Sequence, residues 1–317
     1  MFEAVEKVEI CILADNVTDG LSSNPPFVEG EKAWRGLALS ARCLCCAVHG
    51  LSCLVTVHRV GATRTVLFDS GPEDYAFERN VSRLGVDLGV VESIVLSHGH
   101  WDHAGAMLLA LGMIRSRNGG RAVPFYAHPA MFVTRGLRTP NGGVRCMDDV
   151  PGVQELSDFG AEVVVTTEPQ ALLGGLFYVS GEIPRVSGFE RGFPGQVRRT
   201  ANGWEADELL KDERWLAVNV AGKGLVIFSA CSHAGIVNVC RHARATFPQL
   251  PIHMIMGGLH LSGPNEEIIP QTVEALQEFD IKTIAAGHCT GWRAMTELAN
   301  AFPGALAPIA VGKQFTI

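Results

Sequence analysis

An excess of positive charge is missing from this chain: 26 Lys and Arg stand against 33 Asp and Glu, for a formal net charge of −7. That balance counts against a surface built to attract nucleic acid or acidic lipid, so neither is expected as a partner. Also missing is any uninterrupted apolar run approaching the ~20 residues a membrane helix needs. The opening residues "MFEAVEKVEICILADN" have neither the basic n-region nor the long apolar h-region of a secretory signal, and a cytoplasmic location is expected. A paired cysteine pattern is absent too. The nine cysteines, Cys11, Cys43, Cys45, Cys46, Cys53, Cys146, Cys231, Cys240 and Cys289, are odd in number and scattered through apolar segments, as reduced buried thiols are. "CLCC" at Cys43 to Cys46 lacks zinc-knuckle spacing, and on a strand its thiols would splay to both faces. No repeat and no low-complexity linker interrupts the chain.

What is present is enough apolar material for a sizeable core, with 47% hydrophobic and 19% charged residues in 317. Strand-like runs alternate with helical ones. "KVEICILAD", "CLCCAVH", "SCLVTVHRV" and "RTVLFDSG" read as strands, the middle two joined at "GL". A helix is expected over "DYAFERNVSRLGVD", a strand over "VESIVLSH", a helix over "WDHAGAMLLALGMIRS" and a strand over "AVPFYAH". The second half repeats the habit, from "AEVVVTT", "GLFYVSG", "RWLAVNVA" and "GLVIFSAC" through three more helices to a last strand in "IAVGKQFTI". Two β-rich halves, each ending in helices, predict an α/β fold over residues 1–317: two mixed sheets face to face with helices outside, in a single domain. Residues 138–152 and 185–213 are rich in Gly, Pro and charge without a convincing period, and are expected to be lid or substrate loops.

The densest chemistry lies in "SHGHWDH", where His98, His100, Asp102 and His103 fall within six positions at the end of a strand. In an extended segment His98 and His100 point to one side and can reach one ion about 2 Å away. Asp102 and His103 sit where the chain turns into a helix and can complete that site or face a second ion. Imidazole with carboxylate is a borderline donor set suited to Zn, Fe or Mn.

The strand followed by HxHxDH resembles the signature of the metallo-β-lactamase fold, an αββα sandwich with one or two metals at the edge of its sheets. "DNVTDG", "HGLS", "VLFDSG", "LGVDL", "LSHGHWDHAGA", "YAHPAMF", "SGEIPR", "SACSHAGIVN", "MGGLHLSG" and "AGHCTGWRA" extend the resemblance over nearly the whole chain. They are similar to the branch of 7,8-dihydropterin-6-yl-methyl-4-(β-D-ribofuranosyl)aminobenzene 5'-phosphate synthase-like proteins. The resemblance implies that His98 and His100 hold metal one, and that Asp102, His103 and His288 hold metal two. It also marks departures: "SGEIPR" has no histidine where most hydrolytic members place one, and Cys231 stands where a bridging aspartate is usual. His233, two residues on and on the same side in extended chain, is the expected third ligand of metal one, with Cys231 a ligand or a buried thiol.

The expected cofactor is Zn2+, one or two per chain, with Mn2+ or Fe2+ as options. Such an ion lowers the pKa of bound water toward ~7 and polarises the group under attack. Asp102 is the expected orienter of that water, and His260, after two glycines, an acid or supporting group. His128 is read as structural or as support to the metal more often than as a ligand. Arg185 and Arg191 are candidates for an anionic leaving group, and Trp101 and Trp204, with Trp292, are candidate walls for a flat substrate. His49, His58, His242 and His253 are read as ordinary.

These features favour a metal-dependent hydrolase using metal-bound hydroxide on a small-molecule ester, lactone, phosphodiester or related bond. The alternatives are a synthase-like transfer between a pterin and an aminobenzene ribosyl phosphate, and an iron redox enzyme of the same fold. The expected partner is a small-molecule substrate, with a homodimer as an option.

Overall fold

Alternation at a period of two builds the centre of the molecule. Along Ala62–Phe68, Val66 and Phe68 point inward while Leu67 points out, and along Gly224–Ser229, Val226 and Phe228 point inward while Leu225 and Ile227 point out. The structure, a computed structural model, describes residues 2–34, 36 and 45–317. Its two large sheets are mixed. The first has eight strands in the order Ala161–Val165, Val123–Ala127, Val91–Val95, Ala62–Phe68, Ser52–Arg59, Lys7–Ala14, Gln314–Thr316 and Val28–Glu29. The second has seven: Gln170–Leu172, Phe177–Val179, Leu216–Val220, Gly224–Ser229, Ile252–Gly258 and Thr283–Gly287 in order, with Ala4–Val5 paired to Leu216–Val220.

The inner faces of the two sheets share one buried cluster, where Ile10, Val55, Val66 and Phe68 meet Val226, Phe228, Met254 and Ala285. The Phe68 and Phe228 rings face each other across the sheets at 6.1 Å. Helices Asp74–Leu84 and Met107–Arg117 cover the outer face of the first sheet through Phe77, Val81, Leu111 and Ile114. Helices Ile236–Thr246, Ile269–Leu276 and Trp292–Ala301 cover the second through Val237, Cys240, Leu276 and Leu298. The expected αββα layering is the layering observed.

Several local expectations are corrected. The first hairpin turns at Val60 and Gly61, joining Ser52–Arg59 to Ala62–Phe68, and not at "GL". In the proposed strand "CLCCAVH", Cys43 and Leu44 lie outside the described residues, and 45–49 form no strand. The helix expected from Trp101 to Ser116 is broken into Trp101–Ala104 and Met107–Arg117. A Cβ at Gly105 would come within 2.1 Å of the Pro72 carbonyl oxygen, and the Ala106 N–H bonds the Gly71 carbonyl, so the chain steps sideways there. The two segments expected as irregular lids instead supply most of a third, antiparallel sheet: Gly203–Ala206, Gln196–Thr200, Arg135–Arg138 and Val144–Cys146. Their strands are short and polar, so neither length nor periodicity announced them.

The position of Phe68 in the inter-sheet cluster carries a test. Phe68→Ala should destabilise the fold by about 3–5 kcal/mol, read as a lower urea midpoint, because a void between two sheets cannot collapse fully.

Candidate metal centre

The chemistry-bearing segments leave the C-terminal ends of parallel strands, where an α/β sheet opens a crevice. Val91–Val95 leads to 96–103, Gly224–Ser229 to 230–233, Ile252–Gly258 to 259–260, and Thr283–Gly287 to 288–289. Asp69, Ser232, His260 and His288 all have φ between 46° and 59°, a left-handed conformation that costs a non-glycine residue energy and persists where surroundings enforce it.

His98, His100 and His233 form one donor group. His98 Nε2 lies 3.0 Å from His100 Nδ1 and 3.1 Å from His233 Nε2. Asp102, His103 and His288 form a second, with Asp102 Oδ2 3.7 Å from His103 Nε2 and 3.5 Å from His288 Nε2. Cys231 Sγ stands between the groups, 3.5 Å from His103 Nε2 and 3.3 Å from His288 Nε2, and within one donor set with His98 and His103. Sequence reasoning passed over His49, yet its Nε2 is 3.5 Å from Asp102 Oδ2, in a set with Asp102 and His288.

The far nitrogens of these rings are held in turn, which fixes ring orientation and tautomer. Asp69 Oδ2 lies 2.8 Å from His103 Nδ1, and the same carboxylate accepts from Ser97 N and Oγ. Ser97 Oγ is 2.9 Å from His98 Nδ1, Gln196 Oε1 is 2.9 Å from His100 Nε2, and Asn16 Oδ1 is 3.0 Å from His288 Nδ1. Gly99 is gripped at both ends: its N–H donates to Asp212 Oδ2 and its carbonyl accepts from Arg135 Nη1, each at 2.8 Å, while Arg135 also pairs with Asp212 and Asp207. A Cβ at Gly99 would lie 2.4 Å from Arg135 Nη1 and from the Met131 carbonyl oxygen, so only glycine fits between the two histidines. Glu213 accepts from the His233 and Ala234 N–H groups at 2.8 and 2.6 Å.

Electrostatics favour donation to a cation. Burial, reinforced by neighbouring histidines, holds His98, His100, His233 and His288 well below the usual imidazole pKa, leaving neutral rings with lone pairs available. At His103 burial also works downward, but the Asp102 and Asp69 carboxylates outweigh it and raise the ring to about 9. His98 Nε2 faces two imidazole nitrogens at once, which a single proton cannot satisfy and a metal ion can. The residues present therefore fit a metal.

Other expected site residues are placed differently. Arg185 donates from its guanidinium to the Ile183, Leu209 and Leu210 carbonyls and braces the 209–210 turn. His128 Nδ1 accepts from Ala130 N as a helix cap, and its Nε2 faces Glu182 at 3.4 Å. Trp204 lies on the third sheet under Arg199, 5.7 Å from its guanidinium. Trp101 stays near the rim, its ring 6.3 Å from His49. Arg191 is exposed in a groove of about 360 Å³ with Phe189, Pro194, Asn265 and Glu267, and it shares a smaller cleft with His233 and His260. His260 packs against His233 at 4.3 Å and Phe193 at 4.9 Å.

Known proteins bear on this geometry. Residues 49–111 match the family described as Metallo-beta-lactamase superfamily. A Methanocaldococcus jannaschii protein named 7,8-dihydropterin-6-methyl-4-(beta-D-ribofuranosyl)-aminobenzene-5'-phosphate synthase is 29% identical over 267 residues, 84% of this chain and 88% of that protein. An uncharacterized protein of the same organism is 26% identical over 254 residues, 80% of this chain and 88% of its own length. The crystal structure of a metal-dependent hydrolase of the beta-lactamase superfamily superposes with a TM-score of 0.73 at 22% identity, covering 97% of this chain and 98% of that one.

Two outcomes test the centre. His233→Ala should lower metal content from about two ions per chain to about one, measured by inductively coupled plasma mass spectrometry. Asp69→Asn, which loosens His103 and Ser97 together, should weaken metal affinity about 10–100-fold in competition with a chromophoric chelator.

Proposed function

We propose that this chain, which has the metallo-β-lactamase fold, is a metal-dependent hydrolase of small molecules, with zinc as its metal. The observation that carries the reading is the convergence of His98, His100 and His233 with Asp102, His103 and His288 around Cys231 at the strand ends. His98, His100 and His233 would hold one ion, and Asp102, His103 and His288 a second. A bound ion of this kind supplies Lewis acidity, making water a nucleophile at neutral pH and polarising the bond to be cut.

The chain's own residues do the remaining work. Asp102, 8% exposed and beside His49, orients the attacking water and passes its proton outward, since the His49 side chain is 59% exposed and 3.5 Å from Asp102 Oδ2. His260, against His233 and Phe193, lines the inner end of the cleft that Arg191 enters. Arg191 supplies a cation for an anionic portion of the substrate, which supports phosphoester over neutral lactone. The shell of Phe193 around His233, stacked at 5.5 Å, keeps that side dry and strengthens each polar contact there.

A second reading is favoured by the identity to the M. jannaschii synthase over most of both chains. In it the same centre assists condensation of a dihydropterin with an aminobenzene ribosyl phosphate. Both readings share the metal and an anionic substrate. They separate in assays of the metal-loaded protein with a phosphodiester panel and with the pterin and aminobenzene pair. The hydrolase reading expects turnover of at least one phosphodiester that falls by about 10²-fold or more in His98→Ala. Coupled product without phosphodiester turnover would sink it in favour of the synthase reading.

A further inference from the structure

Cys231 belongs to a second donor set that the imidazole centre does not use. Its Sγ lies 3.3 Å from Cys289 Sγ, and one atom each from Cys231, Cys289 and His260 falls within 4.8 Å of the others. Both thiols are buried, Cys231 at 3% and Cys289 at 8% exposure. His260 Nδ1 is buried with no hydrogen-bond partner among the described residues, in a backbone conformation with φ of 46°. A buried imidazole grouped within 4.8 Å of two buried thiols is an expensive arrangement in an apolar setting, and a shared cation would satisfy all three.

The local backbone reads as built for this. Cys289 follows His288 in a short turn, so the ring and the thiol reach the two sides of Cys231 from one segment. A Cβ at Gly258 would lie 2.5 Å from Cys289 Sγ, so a glycine at the end of Ile252–Gly258 makes the room in which that sulfur sits. Cys231 Sγ faces the ring nitrogens of His103 and His288, and Cys289 Sγ faces the Cys231 sulfur and carbonyl oxygen, so both thiols sit among polar atoms.

We propose that Cys231, Cys289 and His260 form a thiolate corner of the metal centre, binding a thiophilic divalent ion such as Zn2+, with Cys231 Sγ shared between this corner and the imidazole groups. The proposal rests on the metal-centre reading above and deepens it. On binding, each thiol releases its proton to solvent and donates a sulfur lone pair, with no change of oxidation state. Soft sulfur selects Zn2+ or Cd2+ over Mn2+ and Mg2+, which prefer oxygen.

Cobalt(II) titration of the full-length, reduced protein tests this without reference to activity. The expected result is visible d–d absorption from imidazole-bound cobalt together with strong near-ultraviolet thiolate-to-cobalt charge transfer. That charge transfer should fall by about half in Cys289→Ser and vanish in the Cys231→Ser, Cys289→Ser double variant, as expected when each thiolate contributes separately. Cys289→Ala, with near-ultraviolet circular dichroism to confirm packing, guards against a folding defect in the serine variant. Charge transfer undiminished without Cys289 would overturn the corner and leave Cys231 as the lone sulfur ligand. Visible bands with no charge transfer would overturn it while sparing the imidazole centre. Absence of both would remove the metal-centre reading together with the corner.

Discussion

The buried carboxylate of Asp69 is the constraint on which the centre depends. It is fully buried at φ 59°, and its oxygens accept from Ser97 N, Ser97 Oγ and His103 Nδ1 at 2.7–2.8 Å. Burial alone pushes its pKa up, and the hydrogen bonds and the charge of His103 work against that push. A carboxylate so placed is tolerable only when those donors are present, so the strained backbone at Asp69 and the positions of both halves of "SHGHWDH" are mutually dependent. Through Ser97 Oγ the same group reaches His98 Nδ1, so one anion orients a ring in each donor group.

A second layer makes the loop between the histidines rigid. Arg135 and Asp212 form a buried pair that satisfies both the N–H and the C=O of Gly99, and Gln196 holds the outer nitrogen of His100. Glu213 binds two N–H groups at His233, and Glu190 caps helix Ile236–Thr246 through Val237 N and Asn238 N. Breaking the Arg135–Asp212 pair would leave a buried charge uncompensated, which is why its value lies in fixing geometry more than in adding net stability. All but Arg135 come from residues 185–213, so that excursion is the outer wall of the site.

Local spacing made the ring donors legible, because His98, His100, Asp102 and His103 are close in sequence and follow a strand. It also pointed to His233 by the i, i+2 step from Cys231. The supporting groups were not legible in the same way: Asp69, Gln196, Asp212 and Arg135 are ordinary polar residues whose partners lie 28 or more positions away. Arg185, His128 and Trp204 show the converse. Their chemistry is that of a binding group, but backbone carbonyls, a helix N-terminus and a neighbouring arginine already occupy them. At the level of layers the fold followed from periodicity, while the third sheet, built from short polar strands, was hidden.

The sulfur at position 231 changes what the centre can prefer. A carboxylate placed among these rings would add a hard oxygen donor and leave the site open to Mn2+ or Mg2+, whereas a thiolate there carries the same single charge on a larger, softer atom. Because Cys231 Sγ already touches His103, His288 and Cys289, moving it to suit an oxygen-loving ion would disturb two rings of the second donor group and the neighbouring thiol at once. Packing density at a strand end leaves little room for such a shift. In the proposed centre the imidazole groups would set where an ion can sit, and the sulfur would set which ion the whole arrangement accepts without rearrangement.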